Sequence, residues 1–317
     1  MTTLILDCNY LAHTMFHTLG DLSNEGLATG VIYGFLSRVV SLGHKFNTNK
    51  FMFCWDSRYS FRREIEPNYK ANRREKSPEE QERYSVLFEQ IDTLKFHALP
   101  KIGFRNIFEQ RGIEADDIIA ALAWLCYTKD KESMVVSSDE DLFQCLEHGA
   151  EVYNPSSKKI WTYNSFREHY GILPSEWVDV KVIAGCSSDN VKGVEGVGEK
   201  TAIKWLKNEL KETTKKYKDI HEMEDALYKA NVPLVKIPIA MTTTPIIRED
   251  KLSLGGLMKI AEQFGMTSVL EEKTLDRWDD LFHGEFNCSE DFSGTKRQER
   301  KGVVKGIRER RKRRKRK

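Results

Sequence analysis

Three short apolar runs in this chain each stop at an aspartate, and that repetition restricts the fold more than any other feature. Leu4-Ile5-Leu6 ends in Asp7, Phe51-Met52-Phe53-Cys54-Trp55 ends in Asp56, and Met134-Val135-Val136-Ser137 is followed by Asp139 and Asp141. Runs of this kind read as short buried strands. In open α/β sheets the ligand site lies outside the carboxyl ends of parallel strands, so Asp7, Asp56 and Asp139 are expected along one sheet edge. A second acidic group, Glu114, Asp116 and Asp117, opens an apolar run in which Ile118, Ile119, Leu122 and Cys126 recur at helical spacing. Acids favour a helix N-terminus on dipole grounds alone. Gathered beside three strand-terminal aspartates, however, they repel one another and would be partly protonated near neutral pH. A hard divalent cation removes that conflict.

Charge is distributed unevenly. The chain of 317 residues carries 50 basic and 48 acidic side chains, and residues 296–317 hold 14 of the bases but only 2 of the acids. The rest is therefore acidic, with 36 bases against 46 acids, and the tail is a polycation expected to be disordered when free. The six cysteines include no CxxC pair and several fall inside apolar patterns, which fits a reducing, cytoplasmic setting. No apolar run is long enough to span a membrane and no charged-then-apolar leader is present, so neither a span nor a signal peptide is expected.

Taken in order, residues 27–40 read as an apolar helix crossing from the first strand to the second, a βαβ unit. The character changes at residues 57–76, where Arg58, Arg62, Arg63, Lys70, Arg73, Arg74 and Lys76 interleave with Tyr59, Phe61 and Tyr69. Such a stretch is either a solvated charged loop or a surface for single-stranded nucleic acid, cations meeting phosphates and rings meeting bases. An amphipathic helix follows to about Leu99, and residues 151–162 resemble a hairpin around Asn154-Pro155. Glycines 193, 196 and 198 then precede a helix starting near Glu199, a turn able to present bare backbone N–H groups to a phosphate or to serve as a plain helix-to-helix connection. The remainder to Phe286 is helical in pattern, with Pro233, Pro238 and Pro245 as breaks.

Together these motifs resemble the 5′-nuclease family of 5′-to-3′ exonucleases, flap endonucleases and the free-standing phage-type ribonuclease H. The resemblance is carried by Leu6-Asp7 with Asn9, Trp55-Asp56, Tyr69-Lys70-Ala71-Asn72-Arg73, Gly112-Ile113-Glu114-Ala115-Asp116-Asp117, Ser137-Ser138-Asp139-Glu140-Asp141-Leu142 and the stretch from Ser188 to Ala202. It implies an α/β, PIN-like parallel sheet at residues 1–182 with a helical arch at about 57–98, a helical region with a helix-hairpin-helix element at 183–286, and a basic tail at 287–317. It further implies two Mg²⁺ ions, with Mn²⁺ as a substitute. Asp7, Asp56, Glu114, Asp116 and Asp139 would surround the first ion with Asp117 close by, and Asp141 and Asp189 would lie near the second. Lys70 and Arg73 would meet the scissile phosphodiester and Tyr69 would stack on a base. Arg58, Arg62, Arg63 and Arg74 in the arch, with Lys192, Gly193, Gly196, Gly198, Lys200 and Thr201 at the glycine turn, would contact nucleic acid, and K⁺ would sit at that turn.

The implied activity is a metal-dependent 5′ nuclease that removes RNA primers and 5′ flaps in replication. Its partners would be DNA with 5′ ends or flaps and RNA–DNA hybrid, together with a replication single-strand-binding protein or clamp, and the protein would act as a monomer away from membranes. A non-catalytic nucleic-acid-binding protein on the same fold and a PIN-type single-strand ribonuclease are the alternatives. The chain departs from the family pattern at Cys186, where an aspartate is usual, so its second ion site is expected to be one charge short and to hold Mg²⁺ loosely. The tail generates its own prediction. Deleting residues 296–317 is expected to flatten the slope of log affinity against log salt for duplex DNA while leaving the cleavage position unchanged. An unchanged slope would assign the polycation to some other partner.

Overall fold

The computed structural model describes residues 1–72 and 77–286, so Arg73, Arg74 and the basic tail lie outside the described residues. β1 (Thr3–Asp7) is wholly buried and runs directly into α1 (Cys8–Leu19), because the Asp7 side chain accepts a hydrogen bond from Tyr10 N and caps the helix. A two-residue hairpin, β2 (Ser23–Asn24) and β3 (Leu27–Ala28), precedes α2 (Gly30–Phe46). The crossover helix thus begins three residues later than its apolar pattern predicts and ends six residues later, at the left-handed cap Asn47. β4 (Phe51–Cys54) follows and lies parallel to β1.

The charged stretch after Asp56 folds into the single turn α3 (Arg62–Ile65) and then α4 (Pro78–Thr93), whose start is fixed by a Ser77–Glu80 capping box with Pro78 at the first helical position. A wider turn leads into α5 (Leu99–Ile102) and the edge strand β5 (Ile107–Phe108). α6 (Ala115–Thr128) carries the acidic group at its start and feeds β6 (Ser133–Val136). β7 (Glu151–Asn154) and β8 (Lys159–Trp161) form the expected hairpin, which closes the far edge of the sheet. The six strands are ordered β5-β4-β1-β6-β7-β8, all parallel except β8.

Strand alternation divides the core in two. Leu4, Leu6, Phe51, Phe53, Met134 and Val136 face α1, α2 and α4, whereas Ile5, Met52, Cys54 and Val135 face α6. Next come α7 (Tyr163–Tyr170), α8 (Trp177–Ala184), the small hairpin β9 (Gly185–Cys186) with β10 (Val191–Lys192), α9 (Glu199–Leu206) and α10 (Lys215–Val235). Trp177, Val180, Ile220 and Leu227 from this set join the α6 side. α11 (Leu254–Gln263) and α12 (Glu272–His283) instead return to the opposite side, where Leu257, Ile260, Trp278 and Leu281 complete the first core. Pro233, expected to mark a break, sits within the last turn of α10, where the helix is about to end at Val235. No helix of the described residues is long and apolar enough to cross a membrane.

One buried ion pair joins three parts of this fold. Arg62 of α3 donates to both carboxylate oxygens of Asp117 in α6, at 2.5 and 2.8 Å, and its Nε donates to Leu234 O at the end of α10. Asp117 Oδ1 also accepts from Ile239 N, and both side chains are buried, at 2% and 0% exposure. Two readings from sequence are corrected here. Arg62 has no surface to offer nucleic acid, and Asp117 is saturated by a guanidinium and a backbone N–H, which removes it from any metal set. Because loss of one partner leaves the other charge buried, Arg62→Ala is expected to cost about 3–5 kcal/mol of stability in a urea titration. Arg63→Ala, one residue along and exposed, is expected to stay within about 0.5 kcal/mol. Equal effects for the two would contradict the tie.

Candidate active site

Adjacent parallel strands bring the chain's acids together. In the registers Asp7↔Cys54 and Leu6↔Val136, Asp56 and Ser137 to Asp139 flank Asp7 just past the strand ends. Each of these aspartates is fixed by a backbone donor. Asp7 accepts from Tyr10 N, Asp56 accepts from Ala115 N at 2.7 Å and so caps α6, and Asp139 accepts from Asp141 N at 2.9 Å. The Ser137 hydroxyl donates to Asp7 at 2.7 Å and accepts from Asp139 N, linking two strand ends.

Their electrostatics express the crowding. Burial, followed by the charges of Asp56 and Asp139, pushes the Asp7 carboxyl up to about 7. Burial and then Asp139, Asp7 and Asp56 push Asp116 well above the ordinary carboxylate range. Glu114 behaves oppositely. Burial would raise it, but Lys70 and Arg62 outweigh that and hold it low. Lys70 Nζ lies 2.9 Å from Glu114 Oε2 and 3.7 Å from Asp189 Oδ2. The lysine reaches this position from a left-handed backbone, φ +57°, a conformation that costs a non-glycine residue on the order of 1 kcal/mol. Asp189 O holds the turn by accepting from Lys70 N at 2.9 Å.

That contact belongs to a seam between the arch motif and the loop at residues 187–190. Asn72 Nδ2 donates to Ser187 O, Asn190 Nδ2 donates to Asn68 O, and the Tyr69 hydroxyl lies 3.1 Å from Glu114 Oε2 and 3.0 Å from Asp189 Oδ2. Tyr69 is 2% exposed, so the base-stacking role expected for it is corrected. Its ring is committed to the core and its hydroxyl bridges two acids. Of the remaining arch cations, Arg58 is exposed and paired with Asp92 at 2.6 Å, and Arg63 is exposed.

Beyond Asp139, a cavity of about 420 Å³ is lined by Asp7, Asp139, Asp141, Lys181, Cys186 and Ser188, among others. Asp141 is pushed up to about 6 by burial first and by Asp139 and Asp189, against the pull of Lys181. Lys181 Nζ stands 3.1 Å from Asp141 Oδ1 and 3.0 Å from Glu199 Oε1. Sequence reasoning missed this lysine, although a charged residue in the apolar helix Trp177-Val178-Asp179-Val180-Lys181-Val182-Ile183-Ala184 is itself a signal. At the glycine turn the three glycines differ. A Cβ on Gly193 would strike the backbone of Ala184 and Gly185, so that position is needed for close packing. Gly196 is left-handed and Gly198 caps α9, and nothing lies within 4 Å of where their Cβ atoms would be. Lys192 and Lys200 are exposed beside them and Thr201 is half-buried.

Hard oxygen donors in mutual repulsion, with few neighbouring cations, suit divalent ions better than they suit their own company. Residues 2–171 match the family model described as "5′-3′ exonuclease, N-terminal resolvase-like domain", and residues 172–235 match "5′-3′ exonuclease, C-terminal SAM fold". The chain is 36% identical over 200 residues to a 5′-3′ exonuclease of Buchnera aphidicola, covering 62% of this chain and 67% of that protein. It is 33% identical over 199 residues to the 5′-3′ exonuclease of Bacillus subtilis, covering 61% of this chain and 64% of that protein. It is also 33% identical over 211 residues to DNA polymerase I of Mycobacterium leprae, 64% of this chain but 22% of the polymerase. Among solved structures, the bacteriophage T5 5′-exonuclease with bound zinc shares the fold at a TM-score of 0.64 and 21% identity, covering 90% of this chain and all of that one. A T5 flap endonuclease in complex with DNA and metal ions does so at 0.61 and 20%, covering 90% and 99%. The chain belongs to the 5′-3′ exonuclease family.

Proposed function

We propose that this protein is a divalent-metal-dependent 5′ nuclease that cuts 5′ flaps and removes RNA primers annealed to DNA during replication. The observation that carries the reading is the sheet edge itself, where Asp7, Asp56, Asp116 and Asp139 converge with Lys70 reaching in from the arch. An anionic backbone would not approach such an edge unless its charge were offset. The T5 relatives hold divalent ions and DNA, in keeping with that requirement.

Asp7, Asp56, Glu114, Asp116 and Asp139 are the residues that would hold one Mg²⁺, mostly through its waters, and Asp141 and Asp189 the second. When bound, two such ions supply an activated water and stabilise the leaving oxygen. The remaining work falls to side chains of this chain. Lys70, already among the acids, offers an ammonium to a phosphodiester oxygen as negative charge builds on it. Arg73 extends the same motif and shares this proposed role, though it lies outside the described residues. The open turn at Gly196 and Gly198, with Lys192, Lys200 and Thr201, would receive a phosphate of the duplex, with K⁺ as a counter-ion there. Arg58 and Arg63 would meet the single strand from the arch.

Asp139 lies between the two groups of acids, so Asp139→Asn is expected to abolish cleavage of a flap substrate while duplex binding, measured by anisotropy, stays within a few-fold. Lys70→Ala is expected to lower single-turnover rate far more than affinity. Full turnover by the Asp139 variant at ordinary Mg²⁺ would contradict the assignment, and a Lys70 effect confined to binding would make that residue a tether.

A further inference from the structure

At the outer edge of the sheet a groove of about 400 Å³ lies against β5, floored by Phe104 and Ile107 and rimmed by Phe96, Arg105 and Arg248. Phe96 belongs to the wide turn at Leu94–Ala98 and is 69% exposed. The two arginines are exposed as well, yet their backbones are fixed side by side. The buried Asn106 side chain donates to Arg248 O at 2.8 Å and accepts from Arg248 N at 2.9 Å, while Arg105 N donates to Asp250 at 2.7 Å. Two nearby acids, Asp92 and Glu109, are taken up by Lys95 at 3.3 and 2.5 Å. Neither arginine has an ion-pair partner among the described residues.

The position of the groove decides what it would take. Lys181 joins Asp141, beyond β6, to Glu199 at the start of α9, so the glycine turn lies on the β6 side of the acidic edge. From there Asp139, Asp7 and Asp56 follow one another across β6, β1 and β4, and β5 is the next strand out. Neighbouring strands stand about 4.8 Å apart, which puts β5 about 10 Å from the strand of Asp7. A line of paired charges covers that distance: Arg58 to Asp92 at 2.6 Å, Asp92 to Lys95, and Lys95 to Glu109, with Phe96 the next residue. A substrate whose duplex sits at the glycine turn and whose phosphate meets the acids would continue along this line. An exposed ring for a base and two unpaired guanidiniums for phosphates are what single-stranded nucleic acid requires. We propose that Phe96, Arg105 and Arg248 form a subsite for the single-stranded 5′ segment of the substrate, a few nucleotides beyond the acidic edge. An acidic peptide would satisfy the same arginines, but nothing would lead it along the line of charges from Asp56. The inference rests on the nuclease reading and extends it to the length of flap the protein grips.

The test uses the full chain with Asp139→Asn, in Mg²⁺, so that binding is read without cleavage. Anisotropy is measured on labelled duplexes carrying a 5′ flap of about two or about ten nucleotides. Adding Phe96→Ala, Arg105→Ala and Arg248→Ala together is expected to weaken the long flap about tenfold and the short flap less than about twofold. The long-flap slope of log affinity against log salt should flatten by about 1.4, two phosphates no longer being neutralised. Phe96→Trp alone keeps a stacking ring and is expected to hold the long flap at least as tightly as the parent chain. All three residues are exposed, so the urea midpoint should not move. Equal weakening of both flaps, or an unchanged long-flap affinity and slope, as when the groove serves an acidic peptide, would overturn the proposal. With Asp139 restored, a chain whose long-flap affinity depends on the groove yet cuts neither flap loses the nuclease reading alone. One that cuts both flaps while the groove makes no difference to binding loses this inference alone.

Discussion

Like charges gathered at one sheet edge are the constraint around which this molecule is arranged. Two unit charges 4 Å apart repel by roughly 4 kcal/mol at an effective dielectric near 20, so a group of neighbouring carboxylates that includes the buried Asp7 and Glu114 cannot share an edge without support. The chain supplies two kinds. Backbone N–H groups of Tyr10, Ala115 and Asp141 each hold one aspartate in place, which fixes geometry but leaves the repulsion visible in Asp7 and Asp116. Cations supply the rest. Arg62 and Lys70 hold Glu114 down, and Lys181 stands against Asp141.

These cations differ in what they are free to do. Arg62 is sealed, with its guanidinium spent on Asp117 and on the carbonyl of Leu234, so it serves to tie the arch base to α6 and to the end of α10. Lys70 is partly exposed and reaches Glu114 from a left-handed turn that Asp189 and the neighbouring asparagines hold in place. A charge in that situation can turn to a ligand without breaking the fold. The seam between residues 68–72 and 187–190 thus makes the arch motif and the second group of acids one piece of structure.

The parts of this design that follow strand grammar were legible in the sequence. An apolar run ending in aspartate needs only the habit of parallel sheets to place its acid, and Asp7, Asp56 and Asp139 fall where that habit puts them. The stretch after Asp56 was legible as charged and helical, but not in which way its side chains turn. Arg62 and Arg63 are neighbours of one residue type, and a turn of helix sends one inward and the other to solvent, a distinction composition does not carry. Tyr69 was hidden for a related reason, since its two hydroxyl partners lie 45 and 120 residues away. Lys181 was hidden by its helix, whose apolar pattern drew attention from the charges inside it, and Pro233 misled because α10 runs two residues past it before ending at Val235.

The proposed activity is cleavage of nucleic acid at 5′ structures by this edge with the help of divalent ions. It is tested most directly by product sizes from two 5′-labelled substrates, a flapped duplex and an RNA-primed duplex, each with Mg²⁺ and with EDTA. Short 5′ products from both substrates in Mg²⁺, and intact substrate in EDTA, are the predicted result. Cleavage that persists in EDTA, or stable binding of both substrates without product at any Mg²⁺ concentration, would contradict it.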